Sequence, residues 1–331
     1  MNELILRCMP LAIFGIVPLI AVSAARADDA KVIRIGVIGL DTSHVGAFTN
    51  LLNDENAKAD VAGCRVVAAY PHGSPDIESS VSRIPKYTAD MRARGVEIVD
   101  SIDELLTKVD CVLLETNDGR PHLEQLIPCL KAGKRTFIDK PIAGSLADAV
   151  AIFAASEEHD VPVFSSSSLR FGANTQAARN GSLGKTITHC EASSPASIEK
   201  THPDLFWYGI HGCESLFTVM GTGCQSVTRT TEEGKIVVTG KWPDGRVGIF
   251  REGKSYSGHA QGTSGEGPIG KYDGYRPLVV EIVKFFKTGV VPVAPEETLE
   301  IYTFMEAADE STRQGGKEVL MKDVLEKARK E

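Results

Sequence analysis

The stretch GVIGLDTSHVG, Gly36–Gly46, decides the fold. It grows out of a β-branched run, VIRIGVIG at 32–39, which reads as a strand buried on both faces. It passes into SHVGAFTNLLND, where Val45, Phe48, Leu51 and Leu52 recur at helical spacing. A strand, a glycine-containing turn and a helix in that order open a dinucleotide-binding unit. Such a turn needs one glycine for tightness, a second for approach of a pyrophosphate and a third for helix–strand packing. Aligned that way, Gly39 fills the first place, Asp41 stands in the second and His44 in the third. A carboxylate at a helix start accepts free backbone N–H groups and satisfies the positive end of the helix dipole. A phosphate would use the same place. Asp41 is therefore expected to cap the helix or to oppose a phosphate, while Thr42 and Ser43 offer hydroxyls and His44 a positive charge.

The alternation continues. CRVVAAY, VEIV, CVLLET, RTFIDKP and VPVFSSSS read as strands two to six. SIDELLTK opens with Ser101 and Glu104 as a capping box. RPHLEQLIPCLKAGK is a helix with Pro121 near its start and Gly133 at its end, and SLADAVAIFAASEEHD is capped by Ser145 and Asp148. Six strands with intervening helices make an α/β, Rossmann-type doubly wound parallel sheet over residues 28–167. From about residue 168 the pattern changes. KTITHCEASSP is strand-like, HGCESLFTVMG is a short helix, and a meander follows with turns at Glu233-Gly234 and Asp244-Gly245. Two closing helices complete an α+β domain over residues 168–331, with an open, largely antiparallel sheet that a second copy of the chain is expected to cover.

The ends of the first two strands test the cofactor. A carboxylate at the end of the second strand would hold an adenosine ribose. Tyr70 stands there instead, followed by His72, Gly73 and Ser74, so neither NAD nor NADP is favoured.

The chain has 331 residues, 42% hydrophobic and 24% charged, with a net charge of −8. That is enough for two domains and offers no basic surface for nucleic acid or anionic lipid. Residues 1–27 carry an apolar run after Arg7, broken by Pro10 and Pro18, and end in Ala25-Arg26-Ala27. This pattern predicts a cleaved Sec-type signal peptide rather than a membrane span, hence a periplasmic or extracellular protein. The six later cysteines are irregularly spaced and form no CxxC pair, so buried free thiols are expected.

At AGKRTFIDKPIAGSLADA the chain resembles the glucose–fructose oxidoreductase / inositol dehydrogenase / MocA family. GVIGL resembles its first loop, ETNDGRPH its fourth-strand turn with His122 at the histidine, DKP (Asp139-Lys140-Pro141) its Glu-Lys-Pro motif, SLRF (168–171) its arginine segment and GIHGCESL its catalytic-histidine helix. The likeness runs from about Ile33 to Val319. It implies hydride transfer between NAD or NADP and a sugar or polyol carbon, with His211 as base and Lys140 holding the same oxygen. It further implies a cofactor set of Gly39, Leu40, Asp41, Thr42, Ser43, His44, Tyr70, Thr116, Asn117, His122, Asp139, Lys140 and Arg170. The family's aspartate four residues before its histidine is replaced by Trp207. Asp204 or Glu214 would substitute for it, and Trp207 and Tyr208 would form a platform for a sugar ring. His211-x-x-Glu214 with His202 nearby is too common a pattern to signal a metal, and none is expected. The alternative to an oxidoreductase is a relative without hydride chemistry, which binds a carbohydrate or runs base-assisted elimination or isomerisation.

Overall fold

The computed structural model describes residues 32–331, so the signal peptide expected at 1–27 lies outside the described residues. Six parallel strands form the first sheet: Ile33–Ile38 (β1), Cys64–Tyr70 (β2), Glu97–Ile98 (β3), Cys111–Leu114 (β4), Arg135–Ile138 (β5) and Val163–Ser165 (β6). Their spatial order is β3-β2-β1-β4-β5-β6, the doubly wound order with its switch point between β1 and β4. Ser43–Leu52 (α1), Glu78–Ala93 (α2), Ile102–Lys108 (α3), His122–Lys131 (α4) and Leu146–Glu158 (α5) connect them. Local chemistry sets several starts. The Ser101 hydroxyl accepts from Glu104 N at 3.1 Å and the Ser145 hydroxyl from Asp148 N at 3.0 Å, satisfying orphan donors of α3 and α5.

Helix α2 is not apparent in the sequence. Pro85 lies inside it and only Ser80 and Met91 are buried, so it lacks both an apolar stripe and an unbroken run of helix formers.

The second part contains Ala173–Arg179 (α6), Ile187–Ser194 (β7), Ile210–Met220 (α7), Ser226–Glu232 (β8), Lys235–Lys241 (β9), Val247–Glu252 (β10), Ser257–Gly262 (β11) and Gly265–Ile269 (β12). Arg276–Thr288 (α8), Pro295–Arg313 (α9), Val319–Leu320 (β13) and Met321–Ala328 (α10) finish the chain. The sheet runs β12-β11-β7-β10-β9-β8-β13 and is antiparallel except where β10 lies parallel to β7. Three helices close the chain rather than two, because α10 is a short amphipathic segment directly after β13.

Helix α8 returns to the parallel sheet. Its Leu278, Val279, Ile282, Phe285 and Phe286 pack with Ile35, Val37, Phe48, Phe137 and Phe164 in one apolar cluster. Each such buried side chain contributes ~2–3 kcal/mol. This return brings the Tyr272–Tyr275 segment, just ahead of α8, over the ends of β1 and β5. All six described cysteines are free and buried, as expected.

Candidate active site

A cleft of about 240 Å³ lies at the carboxyl edge of the parallel sheet, where a doubly wound fold binds its ligands. A larger cavity of about 580 Å³ sits against α9 and α10, away from the carboxyl edge of the parallel sheet, and its Glu306 and Glu310 are paired with Arg313. The smaller cleft is therefore the candidate site.

Its floor comes from the first loop. Gly39 has φ +91°, and a Cβ there would stand 2.4 Å from Thr116 N, so the turn presses against the end of β4. Thr42 is the N-cap of α1, its hydroxyl accepting from His44 N at 3.4 Å. This corrects both expectations for Asp41. It is not the cap, and its carboxylate does not face a phosphate. Asp41 is fully buried and turned the other way: Oδ1 accepts from Asn117 N at 2.9 Å and Oδ2 from the Ser80 hydroxyl at 2.5 Å. It bolts the first loop to α2 and to the end of β4. Burial pushes its carboxyl up to about 6, against the opposing pull of the Ser80 and Asn117 hydrogen bonds.

Lys140 follows β5 and precedes a cis peptide to Pro141. It is 8% exposed, and its ammonium lies 5.7 Å from the Tyr208 ring centroid. Among the described residues it has no salt-bridge partner, so its charge is available to the cleft. His211, on the first turn of α7, borders the same cavity. Its Nδ1 is 2.7 Å from the Ser167 hydroxyl, which leaves Nε2 for a ligand. Burial, with the positive Lys140 nearby, holds the imidazole well below its usual range and therefore neutral.

Four of the chain's seven tyrosines, Tyr208, Tyr256, Tyr272 and Tyr275, line the cleft. Ring contacts run from His211 through Tyr256 (5.4 Å), Tyr272 (6.1 Å) and Tyr275 (5.6 Å) to His44 (4.7 Å). The sequence pattern did not single out the last three, because they sit in connections of the second part. The density of tyrosine in SYSG and KYDGYR was the only local signal. Ser79 and Arg83, on the unexpected helix α2, border the cleft as well.

Of the expected cofactor set, Thr42, Ser43, His44, Asn117 and Lys140 border the cleft, above the turn made by Gly39. The others do not line it. Leu40 is in the apolar core and Tyr70 packs beside His72. The Thr116 hydroxyl is spent on Gln125, 2.8 Å away. His122 is fully buried, with Nδ1 at 3.0 Å from Ile142 O and Nε2 at 2.8 Å from Thr116 O, so it fastens two loops together. Arg170 is buried in an ion-paired cluster with Glu214 and with Glu297, the latter at 2.7 Å. That pairing removes Glu214 from any substrate role, since its charge already has a partner. Asp204 pairs with Arg229 at 2.7 Å, away from the cleft. Trp207 and Tyr208 do line the cleft. His202 is held by Gly119 N at 3.1 Å and by Asp118, so it does not join His211 and Glu214 in one cluster.

Asp139 is buried behind Lys140 and lies 2.7 Å from His44 Nδ1. Burial would raise its carboxyl, but the neighbouring His44 holds it below the usual carboxylate range. Glu115, at the end of β4, is fully buried beside this pair.

Residues 33–167 match the family described as "Oxidoreductase family, NAD-binding Rossmann fold" (Gfo/Idh/MocA), which shows the resemblance for the first domain. A curated relative, an "Uncharacterized oxidoreductase" of Streptococcus pneumoniae serotype 4, is 24% identical over 192 residues. The match takes in 49% of this chain and 52% of that protein, so the chain spans about half the length of the curated relative it matches. Among solved structures, a probable dehydrogenase from Thermotoga maritima is similar with TM-score 0.69 and 20% identity, over 88% of this chain and 100% of that one. A scyllo-inositol dehydrogenase from Lactobacillus casei with bound NAD(H) and scyllo-inositol has TM-score 0.69 at 15% identity, over 88% and 99%. These likenesses establish a shared fold over most of the chain.

Proposed function

We propose that this protein is an NAD(P)-dependent oxidoreductase acting on a CH–OH carbon of a sugar, polyol or related carbohydrate. The observation that carries this reading is that Lys140 and His211 meet in one cleft at the carboxyl edge of a Rossmann sheet. The dehydrogenases of the same fold that hold NAD(H) and inositols lend it support.

The residues present fit the phosphate part of such a cofactor. The tight turn at Gly39, the Thr42 and Ser43 hydroxyls at the start of α1, and the Arg83 guanidinium with Ser79 make a concavity suited to phosphate. Asp41 points away from it. When bound, the nicotinamide supplies or takes the hydride. The chain does the rest. Neutral His211 offers Nε2 to the substrate hydroxyl proton, and Ser167 fixes the ring through Nδ1. The Lys140 ammonium holds the same oxygen and stabilises negative charge as it develops there. Trp207, Tyr208 and Tyr256 give a sugar ring apolar faces and exclude water.

A second reading, without hydride chemistry, is favoured by the end of β2. A Cβ on Gly73 would stand 2.4 Å from the Ser80 hydroxyl, so α2 packs tightly against the segment after β2, the end of the strand at which a dinucleotide fold holds an adenosine ribose. That packing leaves little room for an adenosine ribose after β2, whereas a monosaccharide-sized ligand matches the size of the cleft.

Denaturing the purified protein and assaying the supernatant for NAD(P), together with thermal shifts on added NAD and NADP, separates the two readings. Released cofactor or a rise in Tm supports the first. Neither, combined with a shift on added polyols, supports the second.

We further propose export by the signal peptide at 1–27 and self-association through the open face of the second sheet. N-terminal sequencing of the mature protein and light scattering test these.

A further inference from the structure

Beside the cleft lies a group of side chains that the reading above does not use. Glu115, Asp139 and His44 each bring one ligand-type atom to within 4.8 Å of the others. They come from the end of β4, the end of β5 and the first turn of α1, three elements that converge at the switch point of the sheet. Glu115 is fully buried, yet neither carboxylate oxygen has a hydrogen-bond partner, and Asp139 Oδ1 is likewise unpartnered at 1% exposure. Buried polar groups are almost always hydrogen-bonded, and an unpaired buried carboxylate costs several kcal/mol. Two such groups side by side, both open toward one point, mark a place for a cation.

We infer that Glu115, Asp139 and His44 form a binding site for one divalent transition-metal ion. Metal–ligand bonds of about 2.1 Å put two ligand atoms of one ion roughly 3–4.3 Å apart. The three ligand-type atoms lie within 4.8 Å of one another, close to that range, and the 2.7 Å contact between His44 Nδ1 and Asp139 Oδ2 would open to admit the ion. One imidazole and two carboxylates suit Mn²⁺, Fe²⁺, Co²⁺ or Zn²⁺ better than a soft cuprous ion. Two carboxylates balance the ion's charge, and Lys140 beside them keeps its own for the cleft. The scaffold is already rigid. His44 stacks on Phe48 at 5.5 Å and meets the Tyr275 edge at 4.7 Å, which fixes the ring. Three protein ligands leave further positions open, as in catalytic rather than structural sites. Because His44 borders the cleft, an open position is reached from the substrate side, next to Lys140.

The test uses untagged full-length mature protein, stripped with chelator and then dialysed against Mn²⁺, Co²⁺ or Zn²⁺ in turn. Elemental analysis is expected to find about one retained ion per chain with at least one of them. Thermal melts should rise with that ion, and Co²⁺ should give a visible spectrum of nitrogen and oxygen ligation. Glu115→Gln should lose at least tenfold in affinity, and the stripped variant should melt no lower than the stripped wild type, because a buried unpaired carboxylate has been removed. Should that variant fold poorly, Asp139→Asn serves in its place, with the same loss of binding expected. Retention of no ion from any of the three, which would mean that Glu115 is simply protonated, overturns the inference. So does unchanged binding in the variants, which would locate the ion elsewhere. Neither result touches the oxidoreductase reading, whose readout is bound nicotinamide.

Discussion

Replacing Asp41 with asparagine should stabilise the protein at neutral pH. Its carboxyl is pushed from 3.8 to about 6 by burial, and both oxygens serve as acceptors, from Asn117 N and the Ser80 hydroxyl. A shift of about two pKa units is worth ~3 kcal/mol, at ~1.4 kcal/mol per unit. The folded pKa lies above the unfolded one, so the native state holds the proton more tightly. The stability this adds is complete below the unfolded value and is lost as pH rises through about 6. Above that pH the wild type carries the full cost of a buried charge. Asparagine never carries it, and its carboxamide can still accept from Asn117 N while its NH₂ group donates to the Ser80 oxygen. Urea unfolding followed by tryptophan fluorescence, run in parallel from about pH 4 to about pH 7.5, should show a gap that opens with pH toward ~2–3 kcal/mol. A variant less stable than wild type at neutral pH, or a gap that does not change with pH, refutes the reasoning. Asp41→Gly is the control of opposite sign. It strands the Asn117 N–H and the Ser80 hydroxyl, and should cost ~1–3 kcal/mol for each group left unsatisfied.

Lys140→Ala should lower turnover at least about a hundredfold with an unchanged far-UV circular dichroism spectrum; wild-type turnover would remove Lys140 from the chemistry. With His211 held neutral well below its usual range, kcat/KM should stay flat through neutral pH and fall only in acid. A midpoint near the ordinary histidine value would show that the ring is not the buried one bonded to Ser167. Arg170→Met leaves Glu214 buried without its cation and should destabilise by ~3–5 kcal/mol in denaturant titration. Tyr302→Phe removes the acceptor of Ile142 N, now 2.8 Å away, and should cost ~1–2 kcal/mol by the same measurement.

The elements legible in the chain are those whose signals are local. The β-branched runs of β1, β2 and β4, the serine caps of α3 and α5 and the Glu-Gly and Asp-Gly turns of the meander lie within a few residues of the structure they specify. Helix α2 escaped because Pro85 and a nearly all-polar surface remove both local signals, and its place is set by the Ser80–Asp41 contact across 39 residues. Lys140 and His211 were legible as candidates because each sits in a motif at a strand end or helix start. Tyr256, Tyr272 and Tyr275 were not: Tyr272 and Tyr275 reach the cleft through the return of α8 to the parallel sheet, and Tyr256 through the connection between β10 and β11.

What the sequence by itself determined is the order of the strands and of most helices, hence a Rossmann sheet followed by a largely antiparallel one, and the neighbourhood of the site at the first loop, the DKP turn and the GIHG helix. Periodicity and capping are properties of adjacent residues, and the switch point follows from strand order alone. What only the tertiary structure decided is the use of each polar side chain. Asp41 became a bolt rather than a cap, His122 a fastener, and Arg170 and Glu214 each other's partner, while Glu115 was left open beside Asp139 and His44. A carboxylate, an imidazole and a guanidinium can each pair with several partners, and which one is met depends on contacts between residues up to 127 positions apart.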